Sequence, residues 1–114
     1  MTRFSVIVSA YKVQAYLHAC LESVLTQSYP DLELIAVDDR SPDGSGAIID
    51  EFAARDERVR VLHLPENVGL GRARNAGLEQ ARGDYVLFLD SDDFYTPRLL
   101  AAVADRPNTD EDPH

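Results

Sequence analysis

The chain opens on a short β-branched apolar run, "FSVIVS", of the length and character of a strand buried on both faces. The pattern then changes period. Across "AYLHACLESVLTQ", Leu17, Cys20, Leu21, Val24 and Leu25 fall on one side of a helix. Tyr29-Pro30-Asp31 breaks that helix, and "LELIAVDD" reads as a second strand. "RSPDGSG" is a turn, after which Ile48, Ile49, Phe52 and Ala53 mark a second helical face. "VRVLHL" predicts a third strand and "PENVGLG" a loop, followed by a helix through Ala73, Gly77 and Ala81 that stops near Gly83. "YVLFLD" is the fourth strand, and Pro97 opens a last short helix at "RLLAAVA". This alternation predicts parallel strands joined by right-handed crossovers, hence a doubly wound, mostly parallel α/β sheet of about four strands with flanking helices.

Composition narrows the class. With 114 residues, 45 % of them hydrophobic, the chain is a single globular domain. That domain is expected over residues 1–104, and the last ten, "DRPNTDEDPH", form a frayed acidic tail. No apolar stretch reaches the roughly 20 residues of a membrane helix. "FSVIVSAY" is too short, and lacks the cleavage site, for a signal peptide. The lone Cys20 forms no internal disulfide; it reads as a buried, inert thiol and fits a reducing, cytoplasmic setting. A net charge of −9 argues against nucleic acid as a partner. It also means that any anionic ligand needs a local positive source: a metal, an arginine or a helix N-terminus.

In doubly wound sheets ligands bind at the carboxyl ends of the strands. There the first strand delivers Ser9, Ala10 and Tyr11, the second Asp38 and Asp39, and the fourth Asp90, Ser91, Asp92 and Asp93. The loop "NVGLGRARNAG" adds glycines, Arg72 and Arg74 at a helix N-terminus, where free N–H groups suit an anion. Like charges as close as Asp90, Asp92 and Asp93 repel, so the cluster is either a solvated turn or a cation site. Asp38 and Asp39 either cap the next helix or face a ligand. The glycines do not match the dinucleotide fingerprint, since Arg74 stands where its third glycine belongs. No phosphate-binding G-x-x-x-x-G-K occurs.

From Phe4 to about Leu100 the chain resembles the N-terminal half of a family 2 glycosyltransferase of the GT-A fold. The resemblance is carried, in order, by the strand-end aromatic, "VDDRSPDGS", "N-x-G-x-x-x-A-R-N-x-G" and "FLDSDD", a D-x-D motif. It implies a nucleotide-diphosphate sugar, UDP-linked in many members, held with Mg²⁺ or Mn²⁺ for transfer to an acceptor. On this basis Tyr11, with Ser9 and Ala10, lines the base pocket, and Asp39 accepts a hydrogen bond from the uracil ring N–H. Arg74 faces the base or the phosphates. Asp90 lies near ribose and metal, Ser91 joins the nucleotide-binding set, and Asp92 coordinates the cation. Asp93 shapes the turn.

The family continues into an acceptor-binding half, which supplies the catalytic base; this sequence stops about twenty residues after the D-x-D, and no residue here matches that base. The acceptor, whether saccharide, lipid or protein, is therefore unassigned. The uncovered side of the sheet offers a surface through which two copies could pair. A non-catalytic nucleotide-sugar-binding remnant shares every residue named. A phosphorelay receiver domain is disfavoured, because the acidic pair follows the second strand and the only lysine is Lys12.

Overall fold

The computed structural model describes residues 2–105. Strands and helices alternate as β1 (Phe4–Ala10), α1 (Gln14–Leu25), β2 (Leu32–Asp38), α2 (Ser45–Arg55), β3 (Val59–His63), α3 (Leu70–Gln80), β4 (Tyr85–Phe88) and α4 (Leu99–Ala104). The strands pair in the order β3-β2-β1-β4, every pair parallel, so the predicted sheet class is borne out. Of the expected acidic tail, Asp105 ends α4 and the rest lies outside the described residues. No helix among the described residues is long and apolar enough to cross a membrane.

Burial explains which runs became central. β2 is buried along its whole length and β1 everywhere but Ser9, whereas β3 and β4 at the edges are half exposed. Alternate residues of the two central strands feed two apolar layers. Phe4, Val6, Val8, Leu34 and Ala36 pack with Leu17, Leu21, Ile49, Phe52 and Leu100 from α1, α2 and α4. Ile7, Ile35 and Val37 face the opposite way and meet Ala73 of α3. α3 lies very close to this face. A Cβ on Gly77 would sit 2.7 Å from Ile7 Cγ2 and 3.1 Å from Val37 Cγ2, so only glycine lets the helix settle there.

β4 is shorter than its apolar run suggested. Phe88 pairs with Ile7, the Leu89 amide donates to the Ile7 carbonyl at 3.0 Å, and the chain then turns away, leaving Leu89 and Asp90 outside the ladder. At the amino-terminal edge, Glu33 is 2 % exposed and accepts hydrogen bonds from Ser5 Oγ (2.6 Å), the Arg82 amide (2.6 Å) and Arg60 (3.4 Å). Burial raises its pKa, but these three donors together prevail and hold it below the usual value. This edge is sealed. The opposite edge, where Ala10 pairs with Asp38 and Asp38 with His63, is open to chemistry.

Candidate functional site

Asp39 follows the last residue of β2 and is only 3 % exposed. Its own amide donates to the Ala10 carbonyl at 3.0 Å, which fixes it beside the end of β1. Its carboxylate then reaches across to the loop before α3. Oδ1 accepts from the Val68 amide at 2.8 Å, and Oδ2 accepts from the Gly69 amide and Asn67 Nδ2, both at 3.0 Å. Gly69 has φ +92°, a region open to glycine and strained for other residues, and it starts α3. The "N-x-G-x-x-x-A-R-N-x-G" motif thus resolves into parts. Asn67 and Gly69 lock onto Asp39, Ala73 and Gly77 seat the helix on the sheet, and Arg74 projects from its second turn.

Arg74 meets the carboxylate cluster. Its guanidinium donates to Asp90 Oδ1 at 2.8 Å and lies 5.4 Å from the centre of the Phe88 ring. Asp93 closes the turn, with its amide on the Asp90 carbonyl at 2.9 Å, and Asp92 is exposed with no hydrogen-bond partner among the described residues. Between them opens a cleft of about 290 Å³, lined by Ser9, Arg74, Asp90, Ser91 and Asp92 together with the apolar Val13, Leu70 and Leu89. The cluster's negative field reaches inward. Burial, and after it the charges of Asp93, Asp92 and Asp90, pushes the Cys20 thiol up to about 12, and the cysteine is buried as expected.

Five of the sequence-predicted residues thus share one cleft: Ser9, Arg74, Asp90, Ser91 and Asp92. Tyr11 stands on the rim, 41 % exposed, with Lys12 Nζ 5.3 Å from its ring centre. Ala10 is placed differently. It has no exposed surface and packs in the core, because its position in the β1 alternation points it inward, beneath the end of the strand. Asp39 is not among the residues that line the cleft; its carboxylate is bonded to the loop before α3.

Helix capping also falls elsewhere than on the Asp38-Asp39 pair. Asp43 accepts from the Ser45 amide at the start of α2 (3.0 Å) and from the Gln14 amide at the start of α1 (3.2 Å); the Ser41 hydroxyl, which also donates to it, and after it the Ser45 and Gln14 donors hold its carboxyl well below the ordinary range. Asp38 instead receives the Ser41 amide at 2.9 Å and His63 Nδ1 at 2.9 Å. His63 Nε2 reaches Asp50 at 2.8 Å, and the two carboxylates, Asp38 first, raise the His63 pKa. Nothing in the hydrophobic pattern signalled His63 or Asn67; only the motif that contains Asn67 pointed to its loop.

The donor set suits a hard cation. Asp90 and Asp92 offer exposed carboxylate oxygens at one strand tip, the ligand type that Mg²⁺ and Mn²⁺ prefer. No group of three metal-binding side chains forms among the described residues. A cation here would complete its shell with water and ligand oxygens, as Mg²⁺ commonly does.

Fold and site together define a doubly wound α/β domain with a polar cleft at the carboxyl ends of its strands, the edge where such sheets bind ligands. The model of the glycosyl transferase family 2 matches residues 5–112, and the chain belongs to that family. It is 41 % identical over 101 residues to the glycosyltransferase EpsJ of Bacillus subtilis, covering 89 % of this chain and 29 % of EpsJ. Among solved structures, S. aureus TarS in complex with UDP-GlcNAc superposes with a TM-score of 0.84 at 36 % identity, over 90 % of this chain and 30 % of that one. The mannosyltransferase PcManGT of Pyrobaculum calidifontis, in complex with GDP-Man and Mn²⁺, gives 0.80 at 28 % identity, over 89 % and 30 %. The chain spans about a third of the length of these relatives.

Proposed function

We propose that this chain is the donor-binding part of a glycosyltransferase, taking a nucleotide-diphosphate sugar, of the UDP class, together with Mg²⁺ or Mn²⁺. The observation that carries this reading is the convergence of Ser9, Arg74, Asp90, Ser91 and Asp92 on one cleft. Arg74 gives an acidic domain the positive charge that a diphosphate requires. Tyr11 offers an exposed ring for a base to stack on. Asp39 Oδ1 accepts one hydrogen bond and retains a lone pair for the uracil ring N–H. Asp92, without a competing partner among the described residues, is the principal cation ligand, and Asp90 shares itself between Arg74 and the cation. The bound cation supplies Lewis-acid stabilisation of the departing diphosphate.

The nucleotides in the TarS and PcManGT complexes support a nucleotide-sugar donor, and the Mn²⁺ of PcManGT supports a divalent cation. Transfer to a saccharide, lipid or protein acceptor needs a base not identified among these residues, and pairing of two copies through the exposed side of the sheet belongs to the same proposal. A cytoplasmic setting, where an unpaired Cys20 stays reduced, is part of it too. Calorimetric titration with UDP and with GDP, each with and without Mn²⁺, tests the donor site. Tighter UDP binding in the presence of Mn²⁺ is the expected result; no nucleotide binding in either condition would overturn it. A separate assay for sugar transfer distinguishes an enzyme from a binding remnant.

A further inference from the structure

Among the described residues Asp92 has no side-chain partner to hold it, yet a cation site requires its carboxylate in a fixed place relative to Asp90. Position must therefore come from the backbone on either side. Before the acids, the Leu89 amide is held by the Ile7 carbonyl of the central strand at 3.0 Å. After them, the chain runs along the C-terminal end of α1, and its anchors there are largely side chains of two polar residues. Ser23 Oγ accepts from the Tyr95 amide at 3.0 Å. Gln27 Nε2 donates to the Thr96 carbonyl at 2.6 Å, and Gln27 Oε1 accepts from the Leu100 amide at 3.0 Å. Its remaining N–H donates to the Ser23 carbonyl at 3.0 Å, tying the two anchors together. The Ser28 amide, bonded to the Pro97 carbonyl at 2.9 Å, adds one backbone contact.

Gln27 lies just beyond the end of α1 and is 6 % exposed, although glutamine is a residue type usually found at the surface. Its burial is tolerated because every polar atom of its amide is engaged, and those bonds reach the segment that follows the D-x-D. We propose that Gln27, together with Ser23, is the positioning element of the carboxylate loop. It fixes the far end of the Asp90–Phe94 bridge so that Asp92 is presented to a cation without rearrangement. This rests on the donor-site reading above and adds to it a residue outside the cleft.

The test compares the wild-type chain with Gln27→Met, which keeps the volume and removes all three bonds, and with Ser23→Ala and Ser23→Thr. UDP binding is titrated with and without Mn²⁺, and amide exchange is followed at Asp93, Tyr95 and Leu100. Gln27→Met should lose about 10- to 100-fold of the Mn²⁺-dependent gain in UDP affinity, the range for supporting residues of metal sites. Metal-free UDP affinity should stay unchanged, while the Asp93, Tyr95 and Leu100 amides exchange faster. Ser23→Ala should show a smaller loss, and Ser23→Thr, which retains the hydroxyl, should restore it. These serine variants decide the matter if Gln27→Met does not fold. An unaltered Mn²⁺ gain in the variants, or equal weakening with and without metal, would overturn the proposal. If the wild type itself shows no Mn²⁺ gain, the donor-site reading has failed, and unchanged Asp93 exchange in the variants then refutes the anchoring as well.

Discussion

Replacing Asp39 by alanine should act on the fold before it acts on any ligand. The carboxylate accepts three hydrogen bonds, from the Val68 amide, the Gly69 amide and Asn67 Nδ2, at 2.8, 3.0 and 3.0 Å. A hydrogen bond to a charged group contributes about 1.5–3 kcal/mol, so the gross loss is about 5–9 kcal/mol if nothing relaxes. Relaxation is available, because Asn67 is exposed and Val68 and Gly69 are only half buried, so water can reach the released donors. A net loss of about 2–4 kcal/mol follows, which most domains survive. Urea denaturation measures that loss, and hydrogen exchange at the Val68 and Gly69 amides locates it. Asp39→Asn, which keeps one acceptor oxygen, should lose less stability. It should also narrow the preference for UDP over CDP, since the ring N–H of uracil would no longer meet a charge. Wild-type stability with unchanged protection of Val68 and Gly69 in Asp39→Ala would refute the structural role. An unaltered UDP-to-CDP ratio in Asp39→Asn would refute the base contact.

Three further outcomes are expected. Asp92→Asn should remove most of the mutual enhancement between Mn²⁺ and UDP, each of which must raise the other's affinity by the same factor, while leaving thermal unfolding unchanged because the side chain is exposed; equal metal dependence in variant and wild type by calorimetry would show that the cluster is only a turn. Gly77→Ala should destabilise by about 1–2 kcal/mol in urea, because the clash with the β-branched Ile7 and Val37 outweighs the roughly 1 kcal/mol gain in helix propensity; a more stable variant would contradict the close packing of α3. His63, held between Asp38 and Asp50, has a folded pKa above its ordinary 6.5. Its contribution to stability is therefore fully present below that value and is lost as pH rises through the folded pKa; a melting-temperature profile in which His63→Gln leaves this loss in place would count against the ion pairs.

Much of the fold was legible because local pattern and tertiary burial agreed. The β-branched run at β1 read as a strand buried on both faces and is central in the sheet, and helical spacing at Leu17, Cys20, Leu21 and Val24 became the buried face of α1. Parallel pairing followed from strand-helix alternation, and pairing in turn sent Ser9, Asp39, Asp90 and Asp92 to one edge. Periodicity says nothing, however, about bonds between residues remote in sequence. It could not show that Asp39 locks the Asn67–Gly69 loop, that Arg74 reaches Asp90, or that Gln27, written at the end of an apolar helical pattern, is a buried anchor for the Thr96 and Leu100 backbone. The composition determined that an acidic domain needs a positive charge at its ligand edge; only the crossover that lays α3 across the sheet, with Gly77 against Ile7, decided that Arg74 stands there. A chain's own sequence specifies which residues seek burial and which turns it can make, whereas long-range hydrogen bonds exist only once packing has brought their donors and acceptors within 3 Å or so.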